Sequence, residues 1–164
     1  MIILGIDPGL NHFGFGIIEY KKNKIIPIEY GQQNISRKYR LEDKLKFIEK
    51  NISLIIDKYN PDVVAVEKIY VAKNPQIALD IGIVSGIILG ISLKKNKDIF
   101  LISPLEIKKE ITGTGQADKQ QVGFMVEKIL NLNKEIKEDA SDALATALCY
   151  ITQQKFNKLL EKAY

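Results

Sequence analysis

Four carboxylates stand out by what surrounds them. Asp7 closes the apolar run Ile2-Ile3-Leu4-Gly5-Ile6 and precedes Pro8-Gly9; Glu67 closes Val63-Val64-Ala65-Val66. Short runs of Ile, Val and Leu ended by a turn or a charge read as buried strands. Each acid then sits where a strand leaves the core, the rim at which α/β sheets collect ligands. Asp139 and Asp142 are three residues apart in a helical pattern, so they share one face. Ala140 and Ala143 beside them are small enough to let that helix approach a sheet closely. Carboxylates brought together repel one another, and burying them unpaired is costly. Divalent cations remove the conflict. An all-oxygen donor set suits hard Mg²⁺ or Mn²⁺, which keep positions open for phosphate and water. Two such ions about 4 Å apart can activate water and stabilise the leaving oxygen in phosphodiester cleavage. Taken singly, Asp7 also fits a turn, and Asp139 and Asp142 also fit acids favoured at a helix N-terminus. Glu135 and Glu138 are left with that second reading.

The elements that must position these acids follow from periodicity. Strands are expected at 2–6, 14–20, 25–30, 63–66 and 99–102, with Lys21-Lys22-Asn23-Lys24 as a polar turn. Short connections make the first three an antiparallel meander. Leu41, Leu45, Ile48, Ile52, Ile55 and Ile56 recur at helical spacing, predicting an amphipathic helix over about 37–59 that Asn60-Pro61 stops. Further helices are expected over 77–93, from Ser103-Pro104 to about 111, over 119–130, and from 138 to about 153. Strands joined through a helix run parallel. The first and fourth strands, if neighbours, therefore put Asp7 and Glu67 at one edge. Two strand-end acids and an i, i+3 helical pair together point to a ribonuclease-H-like nuclease: an α/β fold with a mixed five-stranded sheet flanked by helices. The expected organisation is a single domain over 1–155 with a frayed polar tail over 156–164.

Composition sets outer bounds. The 164 residues carry 46% hydrophobic and 27% charged side chains, an ordinary globular balance. The single cysteine, Cys149, rules out a disulfide framework and a cysteine-based zinc site, and it fits a reducing cytoplasm. Asp7 interrupts the N-terminal apolar run too early for a secretory signal. The uncharged stretch 81–93 is too short to span a bilayer and reads as a core or interface helix, so no membrane association is expected. The net charge of +4 is mildly basic, and more so once the site acids are set aside. A basic surface around an acidic pocket suggests a polyanionic partner; a lysine-rich bias alone would produce the same number.

On Ile3-Leu4-Gly5-Ile6-Asp7-Pro8-Gly9, Ala65-Val66-Glu67, Ala72-Lys73-Asn74, Gly113-Thr114-Gly115-Gln116-Ala117-Asp118-Lys119-Gln120-Gln121-Val122 and Asp139-Ala140-Ser141-Asp142-Ala143-Leu144-Ala145, the chain resembles the RuvC-type Holliday-junction resolvases. The motifs come in family order at family spacing and cover nearly the whole chain. The resemblance implies a ribonuclease-H-like homodimer that makes paired symmetric nicks across a four-way DNA junction in recombination and repair. It also implies Mg²⁺ (or Mn²⁺), two ions per site, held by Asp7, Glu67, Asp139 and Asp142, and hand-over of the junction by a RuvA-RuvB branch-migration complex. Some positions depart from the usual pattern. Asn11-His12-Phe13 replaces an Arg-containing, Thr-ending segment, Ile83-Val84-Ser85-Gly86 stands where Gln-Ala-Arg-Gly is common, and Lys68 replaces Gln.

Candidate DNA-holding residues flank the acids. Tyr70 could stack on an unpaired base at the junction centre, as the resemblance implies, with Lys73 and Asn74 on the backbone; a half-buried loop tyrosine is the plain alternative. Lys108 and Lys119 flank Gly113-Thr114-Gly115, where glycines would let the backbone approach a phosphate. Lys119 is also placed to stabilise charge on the cleaved phosphate. His12, the only histidine, reads as a loop residue with a possible accessory role near Asp7. Gly82, Gly86 and Gly90 make a smooth helix face, suited either to a dimer contact or to packing on the chain's own sheet. Two rival functions are an ATPase of the sugar-kinase or actin type, which needs a second Gly-rich loop and a longer chain, and a non-catalytic junction binder. The second gains nothing from four acids facing DNA.

Overall fold

The computed structural model describes residues 1–68, 74–133 and 136–161, with side chains described up to residue 155. Five strands form one mixed sheet in the order β3-β2-β1-β4-β5: β1 (Ile2–Asp7), β2 (His12–Lys21), β3 (Lys24–Asn34), β4 (Val63–Glu67) and β5 (Asp98–Ile102). The first three are the expected meander, and β1–β4 and β4–β5 are parallel. β1 and β4 are locked in register at their start, where the Ile2 amide donates to Asp62 Oδ2 at 2.6 Å and the Asp62 amide donates to the Ile2 carbonyl at 2.8 Å. Ile6 pairs with Val66, so Asp7 and Glu67 emerge side by side at the same end of adjacent strands.

The helices are α1 (Leu41–Tyr59), α2 (Pro75–Lys94), α3 (Pro104–Thr112), α4 (Lys119–Leu130) and α5 (Glu138–Glu161). Strand alternation sorts the core into two halves. Ile3, Ile18, Ala65 and Ile102 face α3, α4 and α5, whereas Leu4, Ile6, Phe13, Phe15, Ile17, Val64 and Val66 face α1 and α2. Every strand residue of the first set, and Asp7 and Glu67 with them, shares the α5 side of the sheet.

Several boundaries differ from expectation, each for a local reason. β2 and β3 run past the expected 14–20 and 25–30 because their polar ends remain paired, His12 with Asn34 and Phe13 with Gln33. His12 is therefore a strand residue rather than a loop residue. α1 begins at Leu41 rather than near 37: Ser36 closes a tight turn, accepting the Tyr39 amide at its carbonyl (3.1 Å), and Arg40 caps the helix without a side-chain bond. α2 starts earlier, at Pro75, because Asn74 Oδ1 accepts from the Gln76 and Ile77 amides. This lengthens it beyond the 81–93 stretch, enough by length and composition alone to cross a membrane. Val84, Ser85, Ile88, Ile91 and Ser92, however, are buried within the fold. α5 continues to Glu161 instead of ending near 153. α3 opens with the expected cap, Ser103 boxed with Glu106, and α4 opens with a second capping box, Asp118 with Gln121.

Candidate active site

The close seat of α5 on the sheet creates the site. Gly5 pairs with Gly16, and Asp7 with Gly14, across β1 and β2. A Cβ on Gly5 would run into the Ala143 carbonyl, one on Gly14 into the Asp139 carbonyl, and one on Gly16 would lie 2.7 Å from the Leu144 side chain. Three glycines on one sheet face thus make the bed for the first two turns of α5. Ala140 and Ala143, both fully buried, supply the matching small surface. The helix then delivers Asp139 and Asp142 beside Asp7 and Glu67.

The electrostatics record that convergence. Burial pushes the Asp7 carboxyl up to about 8, and the neighbouring Glu67, Asp142 and Asp139 charges add to it. Glu67 is pushed up to about 7, first by burial and then by Asp142, against the opposing pull of Lys119 and Lys108. Asp142 is raised by burial, with Lys119 as the main opposing influence. Lys119 Nζ donates to Asp142 Oδ2 at 3.1 Å and to Glu138 Oε1 at 2.5 Å. Burial would lower the Lys119 pKa, but these two acids outweigh it and hold the ammonium charged. On Asp139, Oδ2 is buried without a hydrogen bond of proper geometry, although His12 Nδ1 lies 2.5 Å from it.

An acid cluster that is destabilised as anions, with one orphaned carboxylate oxygen, fits a divalent cation in its donor chemistry: oxygen ligands in excess of positive charge. Among the described residues no three of the His, Cys, Asp or Glu side chains are drawn into a single coordination sphere. Asp142 turns to Lys119, and Asp139 lies against His12.

The remaining sequence-derived residues fall into three groups. Lys119 and Lys108 lie near the acids, as expected, since both pull on Glu67. Asn74 is present, but its Oδ1 is occupied by the α2 cap, which leaves its amide nitrogen for other contacts. Tyr70 and Lys73 lie outside the described residues. The glycines between the two lysines also have local structural roles. Gly113 adopts φ +80° as the left-handed stop of α3, and a Cβ on Gly115 would lie 2.7 Å from Leu105. Their loop is shaped by helix termination and packing.

Sequence reasoning read His12 as a loop residue and Glu138 as a helix N-terminal acid, and it missed the Gly5–Gly14–Gly16 bed. The signal was there in the alternation His12-x-Gly14-x-Gly16, which at strand period puts all three side by side on the face that carries Asp7.

Comparison with known proteins agrees with this geometry. The family model described as crossover junction endodeoxyribonuclease RuvC matches residues 3–150. Curated crossover junction endodeoxyribonucleases RuvC from Halothermothrix orenii and Alkaliphilus oremlandii are 40% and 39% identical to the chain, covering 96% and 98% of it and 96% and 99% of themselves. Among solved structures, Thermus thermophilus RuvC in complex with Holliday junction substrate superposes with a TM-score of 0.89 at 25% identity, over 96% of each chain. The yeast mitochondrial Holliday junction resolvase Ydc2 shares the fold, with a TM-score of 0.69 at 16% identity over 93% of this chain and 78% of its own. On a match this long in both sequence and fold, the chain belongs to the RuvC family of crossover junction endodeoxyribonucleases.

Proposed function

We propose that the protein resolves four-way DNA junctions by metal-dependent phosphodiester hydrolysis, with Asp7, Glu67, Asp139 and Asp142 as the ion-holding residues. Family membership supports the activity. The observation that carries the residue assignment is the convergence of these acids at one end of β1, β4 and α5, where burial first and the neighbouring carboxylates second raise Asp7 and Glu67 above the ordinary carboxylate range. Such a site is poorly suited to hold bare anions and well suited to release protons as divalent cations enter.

Bound Mg²⁺ or Mn²⁺, two per site, would supply an activated water and offset charge on the leaving oxygen. The protein's own groups do the rest. Asp7 and Glu67, fixed on adjacent strand ends, set the floor of the site. Asp139 and Asp142 close it from the helix. Water adds to phosphorus, the bond from phosphorus to the 3′ oxygen breaks, and the products are a 3′ hydroxyl and a 5′ phosphate. Lys119 keeps its proton and meets the non-bridging phosphate oxygens, exchanging its exposed partner Glu138 for the substrate. Lys108, Tyr70, Lys73 and Asn74 form the surrounding DNA contact set, Tyr70 by stacking and the others on the backbone.

Paired symmetric nicks require two sites related by a two-fold axis, so the working unit is a homodimer. Among the described residues, a Cβ on Gly86 or Gly90 of α2 would have no neighbouring atom within 4 Å, which supports α2 as the contact. A RuvA-RuvB complex as the supplier of the junction and a cytoplasmic setting are part of the same proposal.

The test is nicking of a synthetic four-way junction against matched duplex, with and without Mg²⁺. Metal-dependent symmetric nicks that spare the duplex are expected. Asp7→Asn should cut cleavage by roughly a thousandfold or more while leaving junction binding intact. Cleavage retained in that variant would overturn the assignment, and binding without any cleavage in Mg²⁺ or Mn²⁺ would favour a non-catalytic junction binder.

A further inference from the structure

We infer that His12 is a positioning residue for Asp139, holding the buried carboxylate oxygen so that the rest of the carboxylate is presented to the site. Three observations carry this. First, Asp139 Oδ2 is shielded from solvent and has no well-formed hydrogen bond, an expensive state for an anionic oxygen. Second, His12 Nδ1 is 2.5 Å from that oxygen, and the Asp139 side chain is only 14% exposed while His12 is 53% exposed, so the imidazole forms the lid over it. Third, the backbone enforces the encounter. His12 precedes Gly14 by two residues and shares its face, and Gly14 is the residue on which the Asp139 backbone rests. The ring cannot leave Asp139 without β2 leaving the sheet or the side chain swinging into solvent.

A ring N–H at this position needs only a modest turn to donate to Oδ2. That bond fixes the carboxylate's rotation about its Cα–Cβ and Cβ–Cγ bonds. Fixing a ligand before the ion arrives removes an ordering cost from binding, and partners of this kind typically contribute 10–100-fold in metal affinity.

The inference rests on the metal-binding reading above, and the two can fail separately. The experiment is titration of the full-length protein with Mn²⁺ alone, following the free-ion electron paramagnetic resonance signal, for wild type, His12→Ala and His12→Asn. His12 is exposed, so both variants should keep the wild-type circular dichroism spectrum. Expected is a Kd raised about tenfold or more in His12→Ala and largely restored in His12→Asn, whose amide can donate in place of Nδ1. Equal affinity in wild type and His12→Ala, or no recovery in His12→Asn, would overturn the positioning role. Absence of Mn²⁺ binding in wild type would instead overturn the metal-binding reading. Spin-echo nitrogen coupling in wild-type Mn²⁺ protein that disappears in His12→Ala would make His12 a ligand and likewise overturn a role exercised through Asp139.

Discussion

Asp7 is held in a conflict that the metal-free protein cannot relieve. Unfolded, its carboxyl loses a proton near pH 4; folded, burial and three neighbouring acids keep the proton until about 8, and Glu67 behaves alike up to about 7. Between those limits the folded state binds more protons than the unfolded state, so its stability falls as pH rises. Without divalent ions, the contribution of these two groups should therefore be largest below pH 4, decline to about pH 8 and level off above, so that Tm falls between about pH 6 and 8, where ordinary carboxylates no longer titrate. Asp7→Asn removes the largest contributor and should stabilise the metal-free protein at pH 8, by at most about 5 kcal/mol if the whole shift is expressed, with little effect at pH 4. With saturating Mn²⁺ the order reverses, because the ion selects the ionised carboxylates of wild type and adds its binding free energy to the folded state. Thermal melts of both proteins across pH 4–9, with and without the ion, check all of this; a metal-free Tm that rises through pH 7 would contradict the crowding. Lys119 is the counterweight in the same cluster. Lys119→Met should lower cleavage by about a hundredfold in junction-nicking assays while changing junction Kd only a few-fold, since it gives up one of many cationic contacts.

At the scale of elements, the site depends on how near α5 can come to β1 and β2. Gly14→Ala tests that dependence. Its new methyl would meet the Asp139 carbonyl and lie 3.0 Å from the Asp139 Cβ, backbone and near-backbone atoms that cannot swing aside. Overpacking of this kind costs about 1–3 kcal/mol, and the relief available is retreat of the first turn of α5. The expected result is a folded protein with lowered Tm and a loss of Mn²⁺ affinity larger than that loss of stability explains. Unchanged Mn²⁺ affinity at a lowered Tm would show that α5 gives way elsewhere. The strands carrying Asp7 and Glu67 were legible in the sequence because unbroken apolar runs leave few alternatives, and the helical acids because alanines and leucines at 3–4 spacing mark the buried face. The α1 start was not, since the apolar spacing that marks the helix begins only at Leu41 and the residues before it form a turn closed by the Tyr39 amide on the Ser36 carbonyl. Nor was the role of His12, which needs the long β2–β3 pairing to become a strand residue at all. Gly5, Gly14 and Gly16 read as weak points in their strands until a helix is laid across them.

For the whole molecule, α2 is where the fold is unfinished. Leu79 is 59% exposed near its start, Leu93 is 63% exposed near its end, and between them on the same face a Cβ on Gly86 or Gly90 would meet no described atom. An apolar helix left bare on one side and buried on the other marks a protein contact, and the two-fold symmetry of the substrate makes a second copy of the chain the fitting occupant. Gly86→Leu isolates that contact. A Cβ at this position has no described atom within 4 Å, and replacing an interior helical glycine should add about 0.5–1 kcal/mol to the helix. The monomer should therefore fold at least as well as wild type. Between two closely packed helices the same side chain has no room. Sedimentation equilibrium should show the wild type at twice the chain mass of 18.5 kDa and the variant at the chain mass itself. On a four-way junction the variant should make single, uncoupled nicks in place of symmetric pairs, because each monomer retains its own carboxylates but loses the fixed separation between the two sites. A variant that remains dimeric and still pairs its nicks would place the two-fold axis on another face of the molecule, and would leave the bare side of α2 to a partner other than this chain.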